Sequence, residues 1–320
     1  MYLAHVGVVG GGPWGLALAA AAARAGTKTR IHSRRDLSSA PGQALPEGVE
    51  QVADLGELAR GARLLVLAVP SEVAGEVARK LGDHLDGRHL VVHGIRGLAG
   101  DALEPISAVV RRETPARRIG ALGGPVLSEE LRDGKPCALV CGSRYPEVNA
   151  AIVAAFGAPQ LRVYETEDLV GLEWASALVG CLAIGVGYAR AVGLNPGLVA
   201  TLISRGVEEA SRIAAAAGGR ERTLLGLAGY GDLLASVSQD ERPEIIVGRA
   251  IARGLSVAEA VAEAKLRVEA IDLIPRITHW ADERGVRIPI FRGLSSGMLA
   301  GRTAEDLVRE LMAQPQQRLS

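Results

Sequence analysis

"VVGGGPWGLALA", residues 8–19, decides how this chain is read. It holds Gly10, Gly12 and Gly15 in G-x-G-x-x-G spacing. The run before it, "HVGVVG" (5–10), is short and β-branched and reads as a strand. The run after it, "PWGLALAAAAARAG" (13–26), has Pro at the start, helix formers through the middle and Gly at the end, so it reads as a helix. Between a strand and a helix each glycine has a task. Gly10 makes the tight turn, Gly12 lets backbone approach a pyrophosphate, and Gly15 lets helix and strand pack closely. The helix N-terminus then faces the phosphates. The stretch predicts a dinucleotide site, with Pro13 and Trp14 inside the turn.

Further strands read along the first half: "TKTRIHS" (27–33), "RLLVLAVP" (63–70), "HLVVHG" (89–94), "RRIGALGGP" (117–125), "CALVCG" (137–142) and "QLRVYE" (160–165). "SEVAGEVARKLGDHL" (71–85) reads as a helix with Ser71 as its cap. Alternating strands and helices imply parallel pairing with right-handed crossovers. The expected fold class is α/β, an N-terminal Rossmann-type doubly wound sheet followed by a C-terminal all-α domain. The boundary falls near residue 166, giving a dinucleotide-binding domain over 1–166 and a helical substrate or dimerisation domain over 167–320.

The β-type runs stop at that boundary. "EDLVGLEWASALVGCLAIGVGYARAVG" (167–193) is apolar nearly all round and predicts a buried central helix, with a break near Gly185 or Gly187. Helices are also expected over 197–219, 256–264, 267–285 and 303–314, with a frayed tail after them.

Composition narrows the function. Lys plus Arg equals Asp plus Glu, 36 each, a balance that gives no hint of a nucleic-acid partner. The apolar stretch at residues 6–20 is broken by Gly and Pro and is too short to span a membrane. Cys137, Cys141 and Cys181 are odd in number and lack the partners that would complete a zinc site, so no metal is expected. They read as reduced thiols in a cytoplasmic protein. The second strand ends in "IHSRRD", with Ser33, Arg34 and Arg35 where an acidic residue would hold a ribose 2′-hydroxyl. The cofactor expectation is therefore NAD or NADP, with NADP slightly favoured; a solvated arginine pair at a strand end is the plain alternative.

The chain resembles the NAD(P)-dependent glycerol-3-phosphate dehydrogenase family along its whole length. "GGGPWGLALA" resembles the family's G-x-G-x-W-G-x-A-L-A, Trp14 included. "LLVLAVPSE", "GGPVLSEELRDGKPCALV", "RVYETEDLVGLEWASAL", "ATLISRG", "LLGLAGYGDLLAS", "RVEA" and "RGVRIPIFRGLSSGMLAGRTAEDLVRELM" match further family stretches in order. The resemblance implies reduction of dihydroxyacetone phosphate by NADH or NADPH, a small and phosphorylated substrate, and a homodimer. It also implies two site lysines and an Arg-Asn pair that grips phosphate.

Those groups are altered here. Set against the family's K-G-I/L-E motif, "VVHGIRG" puts His93 at the first lysine and Arg96 at the acidic position. "EWASALVG" puts Val179 at the second lysine and Gly180 at the asparagine beside it. "SQDERPEIIVG" puts Pro243 and Glu244 at the Arg-Asn pair, with Arg242 adjacent. Asp232, Ser236, Arg205, Glu173 and Glu269 match family positions, the last near the cofactor. The resemblance thus implies His93 as general acid with Asp232, and Arg205, Ser236 and Arg96 as substrate-binding groups. Val179 can neither donate a proton nor polarise a carbonyl. Three readings stay open: a glycerol-3-phosphate dehydrogenase-like enzyme with a degenerate substrate site, a reductase of another carbonyl using His93, and a cofactor-binding pseudoenzyme or sensor.

Overall fold

The computed structural model describes residues 5–37, 45–302, 306 and 309. The first half is one sheet of eight strands: β1 (Val6–Val9), β2 (Thr29–His32), β3 (Val49–Val52), β4 (Leu64–Leu67), β5 (Leu90–His93), β6 (Arg118–Gly123), β7 (Cys137–Gly142) and β8 (Leu161–Thr166). Their spatial order is β3-β2-β1-β4-β5-β6-β7-β8. β1 lies between β2 and β4 with every residue buried, which is where an uninterrupted run such as VGVV belongs. Six helices pack on the sheet: α1 (Pro13–Arg24), α2 (Leu55–Gly61), α3 (Ser71–Gly82), α4 (Ile106–Glu113), α5 (Ser128–Asp133) and α6 (Pro146–Phe156).

Two features depart from the expected wholly parallel sheet. β7 runs antiparallel to β6, since only α5 and short turns connect them and no crossover fits. β3 was not expected: its interior residues Glu50 and Gln51 are polar because it is the edge strand.

After β8 the chain is helical: α7 (Leu169–Ala191), α8 (Pro196–Ala216), α9 (Glu221–Leu225), a π-helical turn (Leu227–Gly231), α10 (Asp232–Val237), α11 (Pro243–Ala252), α12 (Val257–Glu263), α13 (Ala270–Glu283), α14 (Pro289–Arg292) and a second π-helical turn (Gly293–Met298). Asp168 caps α7, its Oδ1 accepting from the Gly171 amide at 3.0 Å, while Oδ2 accepts from Arg220 N and Thr223 Oγ1. α7 is 23 residues long and apolar enough to cross a membrane, yet 94% of its most apolar stretch is buried among the other helices. The expected break does not occur, and α7 runs unbroken through Gly185 and Gly187. These glycines serve close approach. A Cβ on Gly187 would lie 2.6 Å from the carbonyl oxygen of Ile245, and one on Gly248 only 2.0 Å from that of Ile184, so α7 and α11 touch backbone to backbone. Apart from Asp306 and Arg309, the helix expected over 303–314 and the tail lie outside the described residues.

Glu209 on α8 holds the start of α14. Its carboxylate is 2% exposed and accepts the amides of Ile290 and Phe291 at 2.9 and 3.2 Å. Burial pushes its pKa up to about 7, against the pull of those amides and of Arg212 and Arg205. The folded state therefore holds this proton more tightly than the unfolded chain, and stability from this group falls as pH rises from about 4.5 to about 7. Measured by denaturant melts across that window, Glu209→Gln should remove a loss of about 3 kcal/mol; a wild type and variant with parallel pH profiles would contradict the assignment.

Candidate active site

The glycine turn has the geometry its spacing requires. Gly10 sits at φ +123°, and a Cβ there would lie 2.2 Å from the carbonyl oxygen of Ala68. A Cβ on Gly15 would lie 1.9 Å from the Gly10 carbonyl oxygen. A Cβ on Gly12 would meet nothing within 4 Å, so this glycine faces open space. Gly12 is also the N-cap of α1, with Pro13 in its first turn and no side chain bonded to the helix end. The end of α1 thus presents bare amides to that space, as a pyrophosphate requires.

The carboxyl ends of neighbouring strands converge on the turn. Beyond β2, Ser33 Oγ accepts from the Arg35 amide, and the Arg35 guanidinium donates to the Gly11 carbonyl at 3.1 Å. Arg34 is exposed beside it. Beyond β5, Gly94 faces the Trp14 indole so closely that a Cβ would lie 2.4 Å from Nε1. Glu269, at the start of α13, reaches across from the helical half. Its Oε1 accepts the Ser71 amide at 2.9 Å, while Oε2 is buried beside Gly97 with no hydrogen-bond partner among the described residues. An open glycine cradle, an uncapped helix end and an orphaned acceptor fit a bound dinucleotide.

The remaining expected residues separate into two groups. His93 is 1% exposed at the end of β5, with Nε2 at 3.0 Å from Glu173 Oε1 on α7. The Ile95 amide points at Nδ1 from 3.4 Å. Glu173 also accepts the amide and hydroxyl of Ser107 at 2.7 and 2.6 Å. Asp232, fully buried, pairs instead with Arg96, whose two terminal nitrogens lie 2.9 and 3.1 Å from its oxygens. Ser236 Oγ donates to the Asp232 carbonyl oxygen at 2.6 Å and also lies 3.4 Å from its carboxylate. Asp232 is delivered by the π-helical turn Leu227–Gly231, a geometry that often marks functional sites. His93 and Asp232, expected to act together, thus have different partners. Arg205 lies on α8 with its guanidinium 2.6 Å from Glu208 on the same helix.

Two charged residues join Arg96 and Asp232. Arg242, only 9% exposed, donates through Nε to Glu244 at 3.1 Å. Burial and then the nearby Arg96 charge pull the Arg242 pKa down. Burial pulls on Arg96 too, but the Asp232 and Glu244 carboxylates outweigh it and raise its pKa. Sequence reading noted Arg242 and Glu244 only as departures from a motif. Their meeting with Arg96 could not be read from residues so far apart in the chain.

Comparison with known proteins gives the family. Residues 5–149 match the family model for the NAD-dependent glycerol-3-phosphate dehydrogenase N-terminus, and residues 168–309 match that for its C-terminus. The chain belongs to this family. Glycerol-3-phosphate dehydrogenase (NAD(P)+) of Mesorhizobium japonicum is 32% identical, over 97% of this chain and 92% of that protein. Its counterpart in Caulobacter vibrioides is 31% identical over 98% of each chain. The crystal structure of glycerol-3-phosphate dehydrogenase from Coxiella burnetii superposes with a TM-score of 0.89 at 25% identity, covering 98% of this chain and 99% of that one. A ketopantoate reductase from Ralstonia eutropha shares the fold at a TM-score of 0.60 and 19% identity.

Gly12 and Gly15 make opposite predictions. Gly12→Ala should melt with the parent protein but bind NADPH at least about tenfold more weakly, because its methyl group enters the pyrophosphate space. Gly15→Ala should lose about 1–3 kcal/mol of stability from overpacking against Gly10. Equal cofactor affinity in Gly12→Ala and wild type, by calorimetry, would remove this turn from the binding site.

Proposed function

We propose that the chain is an NAD(P)-dependent oxidoreductase whose carbonyl substrate is held and polarised by Arg96, with Asp232 fixing the guanidinium. The observation that carries this reading is the Arg96–Asp232 pair on the loop that Gly94 presses against Trp14. That loop leaves the carboxyl end of β5, and open α/β sheets bind their ligands outside the carboxyl ends of their strands. Lined up on Gly97 and Leu98, the K-G-I/L-E motif sets Arg96 at the lysine, three residues after His93. We assign His93 a positioning role, since both its ring nitrogens face protein groups.

The cofactor, when bound, supplies a hydride to the carbonyl carbon, giving an alcohol once the oxygen takes a proton. Arg96 stabilises the negative charge that develops on that oxygen. An arginine does not release its proton, so the proton comes from solvent. Arg34 and Arg35 favour NADPH through its 2′-phosphate. A cytoplasmic homodimer accords with the family likeness.

One observation favours a second reading, a cofactor-binding protein without turnover. Val179, at the family's second lysine, is 2% exposed within the helical core, so no proton donor arises from that position. NADPH oxidation against a panel of small ketones and aldehydes separates the two. Under the first reading Arg96→Met lowers kcat by about 10²–10³, and Arg96→Lys recovers part of the loss. Cofactor binding with no turnover on any carbonyl would leave the second reading. Separately, the double variant Arg34→Ser, Arg35→Ser should raise the Kd for NADPH at least about tenfold while sparing NADH; an unchanged ratio would refute the role of the arginines.

A further inference from the structure

The four charged groups at the substrate end form a closed set. Arg96 faces Asp232, and Arg242 bonds Glu244. Each cation has its own carboxylate, so the set sums to zero and offers no surplus positive charge. Glu244 is 15% exposed at its side chain and stands where the family carries the asparagine of its phosphate-binding pair.

Glu244 lies against α7 at Gly180. A Cβ on Gly180 would lie 2.9 Å from Ala270 Cβ and 3.7 Å from Glu244 Oε1. Any side chain at 180 would press on Ala270, with the Glu244 carboxylate in ordinary contact beside it. Gly180 and Glu244 are neighbours, so both departures from the family pattern fall in one place. The Glu244 charge is felt by Arg96 and by the Cys181 thiol as well as by Arg242, so it sits at the centre of the cluster.

We infer that Glu244 takes up the cationic site that a substrate phosphate would otherwise fill, and that the chain acts on an uncharged carbonyl or polyol rather than on a phosphate ester. This rests on the oxidoreductase reading above and names its substrate class. A phosphate dianion brought against Arg242 must displace Glu244 or lie beside it. Either course leaves a partly buried carboxylate without its cation or sets like charges together. An uncharged hydroxy-carbonyl meets neither cost, and its oxygens accept from Arg96.

The test compares dihydroxyacetone with dihydroxyacetone phosphate as substrates of the full-length chain and NADPH. Wild type should show a kcat/KM for dihydroxyacetone at least about tenfold above that for its phosphate. Glu244→Gln, which keeps the shape and removes the charge, should narrow that ratio at least about tenfold, through KM for the ester. Glu244→Asn is the second variant if the first melts early. A wild type that prefers the ester, or a ratio unmoved by either variant, overturns the inference. If the loaded protein reduces neither compound, the carbonyl panel above decides the oxidoreductase reading and calorimetry decides the inference by itself. Glycerol 3-phosphate, titrated with and without saturating NADP+, should give binding heat in Glu244→Gln and none in wild type. Equal binding by the two proteins overturns it, while the unchanged glycine turn contributes equally to both.

Discussion

The Glu173 carboxylate joins the two halves of the molecule. It is buried on α7 and receives three hydrogens, from the amide and hydroxyl of Ser107 and from the His93 ring. A buried carboxylate is costly to desolvate and is tolerated when its lone pairs are filled. The donors come from the end of β5 and the start of α4, so the bonds form only when the sheet and the long helix are seated correctly. Everything at the substrate end inherits that seating. Val179 and Gly180 follow Glu173 on the same helix, and Arg96 follows His93 on the same loop. Losing one donor would leave an acid without its full complement in the interior, so the register of helix on sheet is held sharply.

A second constraint acts along α7. Its contact with α11 is made through backbone, at Gly187 and Gly248, and leaves little freedom to slide. Glu244 opens α11, so the same contact carries its carboxylate to the vicinity of Gly180. Asp232 arrives by another route, at the start of α10 just after the π-helical turn that packs against α7. The four charges are thus assembled by helix packing in the second half and by one loop in the first. Replacing Arg242 or Glu244 alone would leave the other buried without its partner, which is why such groups are expected to change together.

Much of the fold could be read from the sequence because it rests on short-range signals. β1, the glycine turn and α1 form one continuous stretch whose periodicity and glycine spacing carry the geometry. β3 escaped because an edge strand with Glu50 and Gln51 inside it lacks alternation. The continuity of α7 escaped because Gly185 and Gly187 read as breakers, whereas tertiary contact with Leu294 and Ile245 uses them for packing. Among candidate site residues, the geometry of the glycine turn was legible and the Arg96–Asp232 pair was not. Its partners are 136 residues apart, and no local pattern encodes their meeting. His93 drew attention for its chemistry, and only its burial against Glu173 turns it into a positioning group.

The two ends of the candidate site differ in what they are made of. The candidate cofactor end is mostly backbone: bare amides at the start of α1 and the open space at Gly12. Such a surface tolerates many side-chain changes around it, provided the glycines remain. The proposed substrate end is side chain against side chain, a small buried cluster with balanced charge. One carboxylate in place of an amide changes the sum of that cluster from positive to neutral, while the sheet, the turn and the Glu173 bonds stay as they are. On the proposed reading, the chain keeps the architecture of its family while its pocket no longer attracts a phosphate ester.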